Sequence, residues 1–368
     1  KKTQLFFEGG NQAVDLAKDQ QALLPDERRP LNQYAKSMFG RDLFDISFFS
    51  PNERYRVTEK RIKLGAKLFY DTILSAGNKR SCASCHKPEL AFTDGAPKAL
   101  SVDGQSTVDR NTPTLWNAAL QTKYFYDSRA STLENQLSIV VHSSKEMNGS
   151  METSILKLRK EEKYAALFQQ AYAGDQEPVT AYSIANAVSS YIRSLTALNS
   201  QFDQYIRDQE KPLSRNERSG FNLYAGKAKC ATCHYLPLFN GLIPPEFSET
   251  ESEVLGTPAS TDTLHAMIDP DMGKFLFTNA VPHQHSFKTP TLRNIALTAP
   301  YMHNGVYKTL EEVLDFYNKG GGSGLQIAIP NQTLPAEKLG LTKKETQDII
   351  AFLKTLTDTT YNTQLYAK

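Results

Sequence analysis

Two copies of one five-residue pattern carry most of the chemistry of this 368-residue chain. They are Cys82-Ala-Ser-Cys85-His86 and Cys230-Ala-Thr-Cys233-His234, and together they use all four cysteines. Two thiols at this spacing can form thioethers with the two vinyl groups of a haem, while the adjacent imidazole reaches the iron. Zinc would require further ligands in familiar spacings close by, and neither motif has them. The sequence therefore predicts two covalently attached c-type haems, with His86 and His234 as iron ligands.

The overall composition limits the classes of partner. Lys and Arg total 42 and Asp and Glu total 40, so the net charge of +2 gives no reason to expect nucleic acid or an anionic membrane as a partner. No apolar run approaches the length of a membrane span, and the chain begins at Lys1 rather than at methionine. Because c-type haem is attached outside the bacterial cytoplasm, we expect an exported periplasmic protein whose signal has been removed.

A longer internal repeat accompanies the haem motifs. The run from Thr112 to Leu137 matches the run from Thr289 to Leu314 at 12 of 26 positions without a gap. The separation from Thr112 to Thr289 is constant along this match and is called the repeat offset below. We therefore interpret the chain as a tandem duplication of a mono-haem unit.

The second copy of the unit is the longer one. The two haem motifs lie closer together than the repeat offset, so extra residues separate the second motif from the second copy of the repeat. We expect these residues in the Pro-, Glu-, Ser- and Thr-rich stretch 236–287, as a loop insertion.

The elements that position the motifs are mainly helical. Apolar residues at helical spacing predict helices from Thr58 into the first haem motif, over Leu156–Tyr172 and over Thr180–Ile206. Capping boxes at Ser214-x-x-Glu217 and Thr342-x-x-Glu345 begin the helix before the second haem motif and a final amphipathic helix. Strand signals are scarce. The fold class is therefore predicted to be mainly α, with long loops around the haems.

We divide the chain into three parts. Residues 1–57 lack sustained periodicity and are predicted to form an N-terminal extension that wraps the body of the protein. Residues 58–210 are predicted to form a first haem domain and residues 211–368 a second.

The two copies differ at the end of the repeat. The repeat offset places Val140 opposite Tyr317, and a tyrosine oxygen can bind iron whereas a valine cannot. Tyr317 is either a ligand of the second iron or a core aromatic residue, which is the commoner role at helical spacing. No histidine lies between His86 and His142, so we expect the first haem to be open at one axial position.

An open ferric haem beside an acid–base group can bind hydrogen peroxide and cleave its O–O bond. Glu146 follows Val140 closely, in a segment whose composition predicts a loop. It is the candidate acid–base catalyst, and a solvated surface charge is the alternative.

Further strings are characteristic of one family: Arg110-Asn-Thr-Pro-Thr114, Tyr126-Asp-Ser-Arg129, Leu133-Glu-Asn-Gln136, Asn199-Ser-Gln-Phe-Asp203 and Ala299-Pro-Tyr-Met-His-Asn-Gly305. With these strings the chain resembles the bacterial di-haem cytochrome c peroxidases over roughly residues 58–358, and most closely their MauG-like branch. The resemblance implies two cytochrome c-like domains, a peroxidatic first haem, an electron-storing second haem and one bridging calcium ion.

The resemblance also implies roles for single residues. Glu146 falls on the family's distal catalytic glutamate, and Gln136 falls on its distal-pocket glutamine. Asn111 falls on the side-chain ligand of the calcium ion, while Thr298 and Pro300 fall on the residues that offer backbone carbonyls to it. Ligation by oxygen atoms alone suits calcium.

Tyr317 falls on the position that is methionine in ordinary members and tyrosine in the MauG-like branch, with Met302 as the fallback ligand. Ordinary members carry a loop histidine after the first haem motif that ligates the resting iron and leaves on reduction. This chain has none, so reductive activation should be unnecessary. Tyr126 replaces the tryptophan usually found between the haems and is a candidate inter-haem relay, and Val140 replaces the proline usual in the MauG-like branch.

Three functions remain open. The main prediction is a peroxidase that reduces hydrogen peroxide with electrons from a small periplasmic donor. The alternatives are a MauG-like oxidase that removes electrons from a protein substrate and a plain electron-transfer cytochrome. Val140 argues against the plain cytochrome, because an electron carrier benefits from six-coordinate iron at both haems. A tyrosine ligand at 317 would stabilise oxidised states of the second haem and so favours the oxidase.

Overall fold

The computed structural model describes residues 28–209, 211–358 and 360. Within these residues the α-helices are α1 (Glu59–Tyr70), α2 (Leu133–His142), α3 (Met151–Lys160), α4 (Glu162–Ala171), α5 (Ala181–Ser194), α6 (Gln201–Ile206), α7 (Arg215–Ala225), α8 (Phe275–Thr278), α9 (Leu310–Lys319), α10 (Gly321–Gly324) and α11 (Lys343–Thr355). Strands β1 (Ser252–Val254) and β2 (Ser286–Lys288) pair antiparallel, with Glu253 opposite Phe287. The predicted mainly α fold is confirmed. No helix in the described ranges is both long enough and apolar enough to cross a membrane.

Each half is built around two closely packed helices, α1 with α5 in the first half and α7 with α11 in the second. A glycine lies at each crossing point. A Cβ atom on Gly65 would lie 1.8 Å from the Ala187 carbonyl oxygen, and one on Gly220 would lie 1.9 Å from the Asp348 carbonyl oxygen. Only glycine lets the backbones approach this closely, so these two positions fix the same helix packing in both halves.

The internal repeat is also present in the backbone. Asn117 and Asn294, which the repeat offset pairs, both adopt the left-handed conformation, with φ of 57° and 61°. Their amides make equivalent bonds, from Asn117 to the Leu195 carbonyl at 2.9 Å and from Asn294 to the Leu356 carbonyl at 3.2 Å. Asparagine tolerates this conformation better than most residues. The backbone therefore confirms that the chain is a duplicated unit.

The predicted capping boxes are confirmed at both Ser214 and Thr342, whose side chains accept from the amides of Glu217 and Glu345. The helix before the first haem motif is likewise confirmed, with Thr58 as its cap. The stretch 236–287 is largely irregular, as predicted.

Two helices were predicted too long. The helix over Leu156–Tyr172 is in fact α3 and α4, separated at Glu161, whose backbone is extended. Apolar residues on both sides of this corner are buried, so their spacing continues across the break and hides it.

The helix predicted over Thr180–Ile206 ends at Ser194, and α6 begins separately at Gln201. The cause is a tertiary contact with Asn117. Its side-chain oxygen accepts from the Ala197 amide at 2.7 Å, and its amide group donates to the Ala197 carbonyl at 3.1 Å. These bonds take the backbone groups that a continuing helix would have used.

The described part of the N-terminal extension, residues 28–57, packs against both halves. The Phe39 ring lies 5.6 Å from Phe202 in the second core, and the Phe49 carbonyl accepts from Arg193 of α5 at 3.2 Å. Residues 28–57 thus contact both halves, whereas residues 1–27 lie outside the described ranges, and the wrapping of the whole extension stays a prediction. The domain boundary at residue 210 stays a prediction. Phe202 precedes it and belongs to the second core, so contacts cross that boundary.

Candidate haem sites and the interface between the halves

Both haem motifs fold into the same 3₁₀ turn, Cys82–Ser84 in the first half and Cys230–Thr232 in the second. In each turn the histidine amide donates back to the first cysteine carbonyl, at 2.9 Å for His86 and 3.0 Å for His234. The predicted attachment residues of each haem are therefore held together by local backbone structure.

Backbone carbonyls orient both histidines. The Nδ1 atom of His86 donates to the Phe92 carbonyl at 2.9 Å, and Nδ1 of His234 donates to the Pro290 carbonyl at 3.0 Å. Such a bond fixes the ring tautomer and leaves Nε2 for a metal. Burial lowers the pKa of His86 and lowers that of His234 to about 4, so both rings are held in the neutral form that binds iron.

A cavity of about 660 Å³ lies in the second half and extends to the interface between the halves. Its walls include the motif residues Cys230, Cys233 and His234 and four residues of α9, Leu310, Val313, Leu314 and Tyr317. The volume is within the range of cofactor pockets, and an apolar wall with thiol, imidazole and phenol groups suits a haem c. These residues therefore fit the predicted second haem.

Both prospective sixth ligands of the second haem, Tyr317 and Met302, line this cavity. Burial raises the pKa of the Tyr317 hydroxyl, so the protein alone favours the neutral phenol. A ferric iron would have to supply the positive charge that ionises it. The choice of Tyr317 over Met302 stays a prediction.

Helix α2 is the counterpart of α9 in the first half. The two helices begin after threonine caps, Thr132 and Thr309, and the repeat offset sets Gln136 against Val313 and Val140 against Tyr317. Val140 packs on the first core, as do Cys82 and Ala83 of the first haem motif. Because Val313 and Tyr317 line the second haem cavity, we expect Gln136 and Val140 to lie on the corresponding side of the first haem site, and this placement stays a prediction.

The loop that carries Glu146 is anchored on both sides. The Ala76 amide donates to the Met147 carbonyl at 3.0 Å, and the Val102 amide donates to the Lys145 carbonyl at 2.8 Å. A Cβ atom on Gly149 would lie 2.5 Å from the Leu74 carbonyl oxygen, so the loop lies directly against the first half. Its segment is irregular, as predicted, but it is fixed in place.

Glu146 is half-buried rather than exposed to solvent. Burial raises the pKa of its carboxyl group above 4.5, while a hydrogen bond from Ser143 and the charge of Arg129 act in the opposite direction. The Glu146 charge in turn helps to raise the pKa of the Cys85 thiol, so the carboxyl group lies near the first haem motif. A partly buried carboxyl with a raised pKa is suited to acid–base chemistry near neutral pH.

The three predicted calcium ligands, Asn111, Thr298 and Pro300, line the same cavity. Asn111 Oδ1 accepts one long hydrogen bond, from the Tyr126 hydroxyl at 3.4 Å. The described residues donate no hydrogen bond to the carbonyl oxygens of Thr298 and Pro300. Three weakly engaged oxygen atoms from both halves fit a hard cation. In the described ranges no cluster of three or more His, Cys, Asp or Glu side chains could hold a metal, so a site here would use amide and carbonyl oxygens.

Ion pairs fix the interface next to Asn111. The Arg110 guanidinium donates to both carboxylate oxygens of Asp271 in the other half, at 2.6 and 2.9 Å, and lies 2.6 Å from Asp127. Bidentate pairing of this kind sets orientation as well as distance. Asp271 is therefore a site residue that sequence reasoning missed, since its position in the irregular insertion gives no motif.

Lys288 was also missed. It lines the cavity, and its ammonium group donates to Gln121 Oε1 at 2.5 Å across the interface. Burial lowers the pKa of Lys288 to about 8. The signal that could have identified it is the repeat itself, because the repeat offset sets Lys288 opposite Asn111.

Residues 59–211 match the family described as di-haem cytochrome c peroxidase. The chain is 32% identical over 300 residues to the methylamine utilization protein MauG of Methylorubrum extorquens, a match that covers 82% of this chain and 79% of that protein. It is 31% identical over 314 residues to the cytochrome-c peroxidase IdrP2 of Denitromonas iodatirespirans, covering 80% and 81%.

A solved structure shares both the fold and part of the sequence. A MauG-like protein associated with microbial copper homeostasis superposes with a TM-score of 0.73 at 30% identity. The superposition covers 84% of this chain and 93% of that one.

Proposed function

The chain belongs to the di-haem cytochrome c peroxidase family and is an oxidoreductase that acts on hydrogen peroxide, and we propose that its two halves divide this activity between them. In this division peroxide would react at a haem held by the first half, and a haem held by the second half would store or pass the electrons. The single observation that carries this division is the pairing of Val140 with Tyr317 at equivalent helix positions. The net reaction consumes one peroxide, two electrons and two protons and yields two water molecules.

We assign one haem c to Cys82, Cys85 and His86 and the other to Cys230, Cys233, His234 and Tyr317. Haem bound at these residues supplies the iron that binds peroxide oxygen and exchanges electrons singly. The protein contributes orientation of the two imidazoles through the carbonyls of Phe92 and Pro290. Val140 contributes an apolar surface that leaves space for a small oxidant.

Glu146 is the proposed acid–base catalyst. Its ionised carboxylate accepts the proton of the peroxide oxygen that binds, and it then donates that proton to the distal oxygen, which leaves as water. The raised pKa matches the carboxyl group to this double role, because a carboxylate of lower pKa would be a weaker base and would accept the peroxide proton less readily. Gln136, one helical turn before Val140, supplies an amide that can hold peroxide by hydrogen bonds.

Tyr126 is the proposed relay between the haems. Its hydroxyl donates to Asn111 Oδ1, which is an amide oxygen and not a base. Burial raises the pKa of Tyr126, so loss of an electron must be coupled to loss of the phenolic proton. We therefore expect electron exchange between the haems to become faster as the pH rises.

A second candidate function is oxidation of a protein substrate, as a MauG-like enzyme. Tyr317 supports it, because as an anionic oxygen ligand it would stabilise oxidised iron and would let a haem held there retain oxidising equivalents until a large substrate docks. The match to a MauG is as extensive as the match to a cytochrome-c peroxidase. The electron source is therefore either a small donor protein or a protein substrate. We propose a periplasmic location for both, because c-type haem is attached outside the bacterial cytoplasm.

Stopped-flow absorption of the ferric protein mixed with peroxide tests the proposal. Glu146→Gln should slow the haem absorption change by about 10²- to 10⁴-fold, the usual contribution of an acid–base catalyst. Glu152→Gln is the matched control, since Glu152 is exposed on α3. A loss of less than threefold in Glu146→Gln, or an equal loss in the control, would remove Glu146 from the mechanism.

A further inference from the structure

The two halves meet through a reciprocal pair of backbone hydrogen bonds. The Asn111 amide donates to the His303 carbonyl at 2.7 Å, and the Lys288 amide donates to the Tyr126 carbonyl at 2.6 Å. The repeat offset pairs Asn111 with Lys288, and it also pairs Tyr126 with His303. Reciprocal contacts of this kind define a two-fold interface. The interface between the halves therefore has an approximate two-fold axis.

This axis relates the candidate calcium site to a second set of residues. Asn111, Thr298 and Pro300 correspond to Lys288, Gln121 and Lys123. In that second set the Lys288 ammonium group is bonded to the Gln121 side chain. The protein thus has a fixed cation of its own at the residues that are equivalent to the calcium ligands.

The Lys288 charge has no counter-ion among the described side chains. Its side-chain partner is the neutral amide of Gln121, and no described carboxylate forms a salt bridge with it. The lysine is buried and keeps the ammonium as its main form at pH 7, since its pKa is lowered only to about 8. Lys288 and Gln121 line the cavity together with His234. Glu251 and Glu253 line the same cavity, but neither bonds to Lys288, so a negatively charged group held in the cavity would be the first charged partner of this buried cation.

We propose that Lys288 is a positioning residue for the second haem, where it would pair with a haem carboxylate and supply the positive charge that a calcium ion at Asn111, Thr298 and Pro300 would supply on the other side of the axis. This inference rests on the proposed placement of the second haem and is independent of Glu146. A nearby positive charge stabilises the reduced form of a haem, because reduction adds negative charge. Lys288 therefore raises the reduction potential of the second haem and leaves that of the first less affected.

Spectroelectrochemical titration of the holoenzyme measures both haem potentials. Lys288→Met should make reduction of the second haem about tenfold less favourable, which is a fall of about 59 mV for one electron. Lys288→Gln, which keeps a polar side chain, provides a second variant in case the methionine variant folds poorly. Lys288→Arg keeps the charge, so its equilibrium constant for reduction of the second haem should stay within about threefold of the wild-type value.

Lys274→Met is the matched control. It removes one partly buried lysine from the same half, but Lys274 does not line the cavity. An unchanged second potential in both Lys288→Met and Lys288→Gln, or an equal fall in Lys274→Met, would overturn the proposal. Failure of the proposed haem placement has a different signature, because the wild-type titration would then lack a second c-type couple.

Discussion

Val140 and Tyr317 occupy equivalent positions on α2 and α9, at the same distance from the threonine that caps each helix. The surrounding frame is the same in both halves, from the glycine at the helix crossing to the left-handed asparagine that follows each haem motif. If Tyr317 is the ligand, as proposed, one residue on a repeated helix decides whether the protein offers each iron a sixth ligand. In this way one reactive haem and one storage haem can arise from a duplicated unit.

The first prediction concerns the ligand of the second haem. Tyr317→Phe should remove the charge-transfer absorption of a ferric tyrosinate and raise the potential of the second haem, because an anionic ligand is lost. Tyr307→Phe is the control, since Tyr307 lies in the same core but does not line the cavity. If Met302→Leu instead changes the absorption and potential of the second haem, and Tyr317→Phe leaves both unchanged, Met302 is the ligand.

The second prediction concerns the pH dependence of the peroxide reaction. Burial raises the pKa of Glu146 above 4.5, and the reaction begins with the ionised carboxylate. The rate should therefore fall as the pH is lowered through that raised pKa, so its acid limb should lie above pH 4.5. Stopped-flow rates measured on both sides of that limb check this. If the Glu146→Gln variant shows the same fall in rate at acid pH, that fall arises from the titration of another group.

The third prediction concerns stability. Arg193 of α5 is fully buried and donates to both Glu134 oxygens of α2, at 2.6 and 2.9 Å. Arg193→Met should lower the free energy of unfolding by about 3–5 kcal/mol, because Glu134 is left as a buried, unpaired charge. Denaturant titration measures the change. The double variant Arg193→Met/Glu134→Leu should recover most of the loss, and a double variant no more stable than the single one would contradict this explanation.

Much of the site could be predicted from the sequence because it rests on short, local patterns. The haem motifs and the capping boxes at Ser214 and Thr342 each lie within a few neighbouring residues, and the internal repeat continues without a gap. The pairing of Val140 with Tyr317 follows from the repeat offset alone.

The remainder depends on contacts between distant residues. No sequence signal near Ser194 predicts the end of α5, because the helix is ended by Asn117, which lies far earlier in the chain. The burial of Glu146 also could not be predicted from its own segment, which is mostly polar, because loops from elsewhere in the chain cover this residue. Asp271 pairs with Arg110 from inside an insertion that has no counterpart in the first half.

The fourth prediction concerns calcium. Elemental analysis should find one calcium ion per protein, and Asn111→Ala should lower that content because one of three oxygen ligands is lost. Chelation of the wild-type protein should alter the haem absorption reversibly, with calcium restoring it. Asn135→Ala, at an exposed position, is the control. Metal-free protein with full activity after exhaustive chelation would show that Asn111, Thr298 and Pro300 serve loop packing alone.

The most direct test of the division between the halves is electron paramagnetic resonance of the ferric protein as isolated. Val140 offers no ligand to the first iron, so the spectrum should contain a high-spin signal equivalent to one haem. Val140→His should convert that signal to low spin and suppress the reaction with peroxide, because a sixth ligand then occupies the reactive position. A wild-type spectrum with two low-spin haems and no high-spin fraction would contradict the proposed division of roles between the halves.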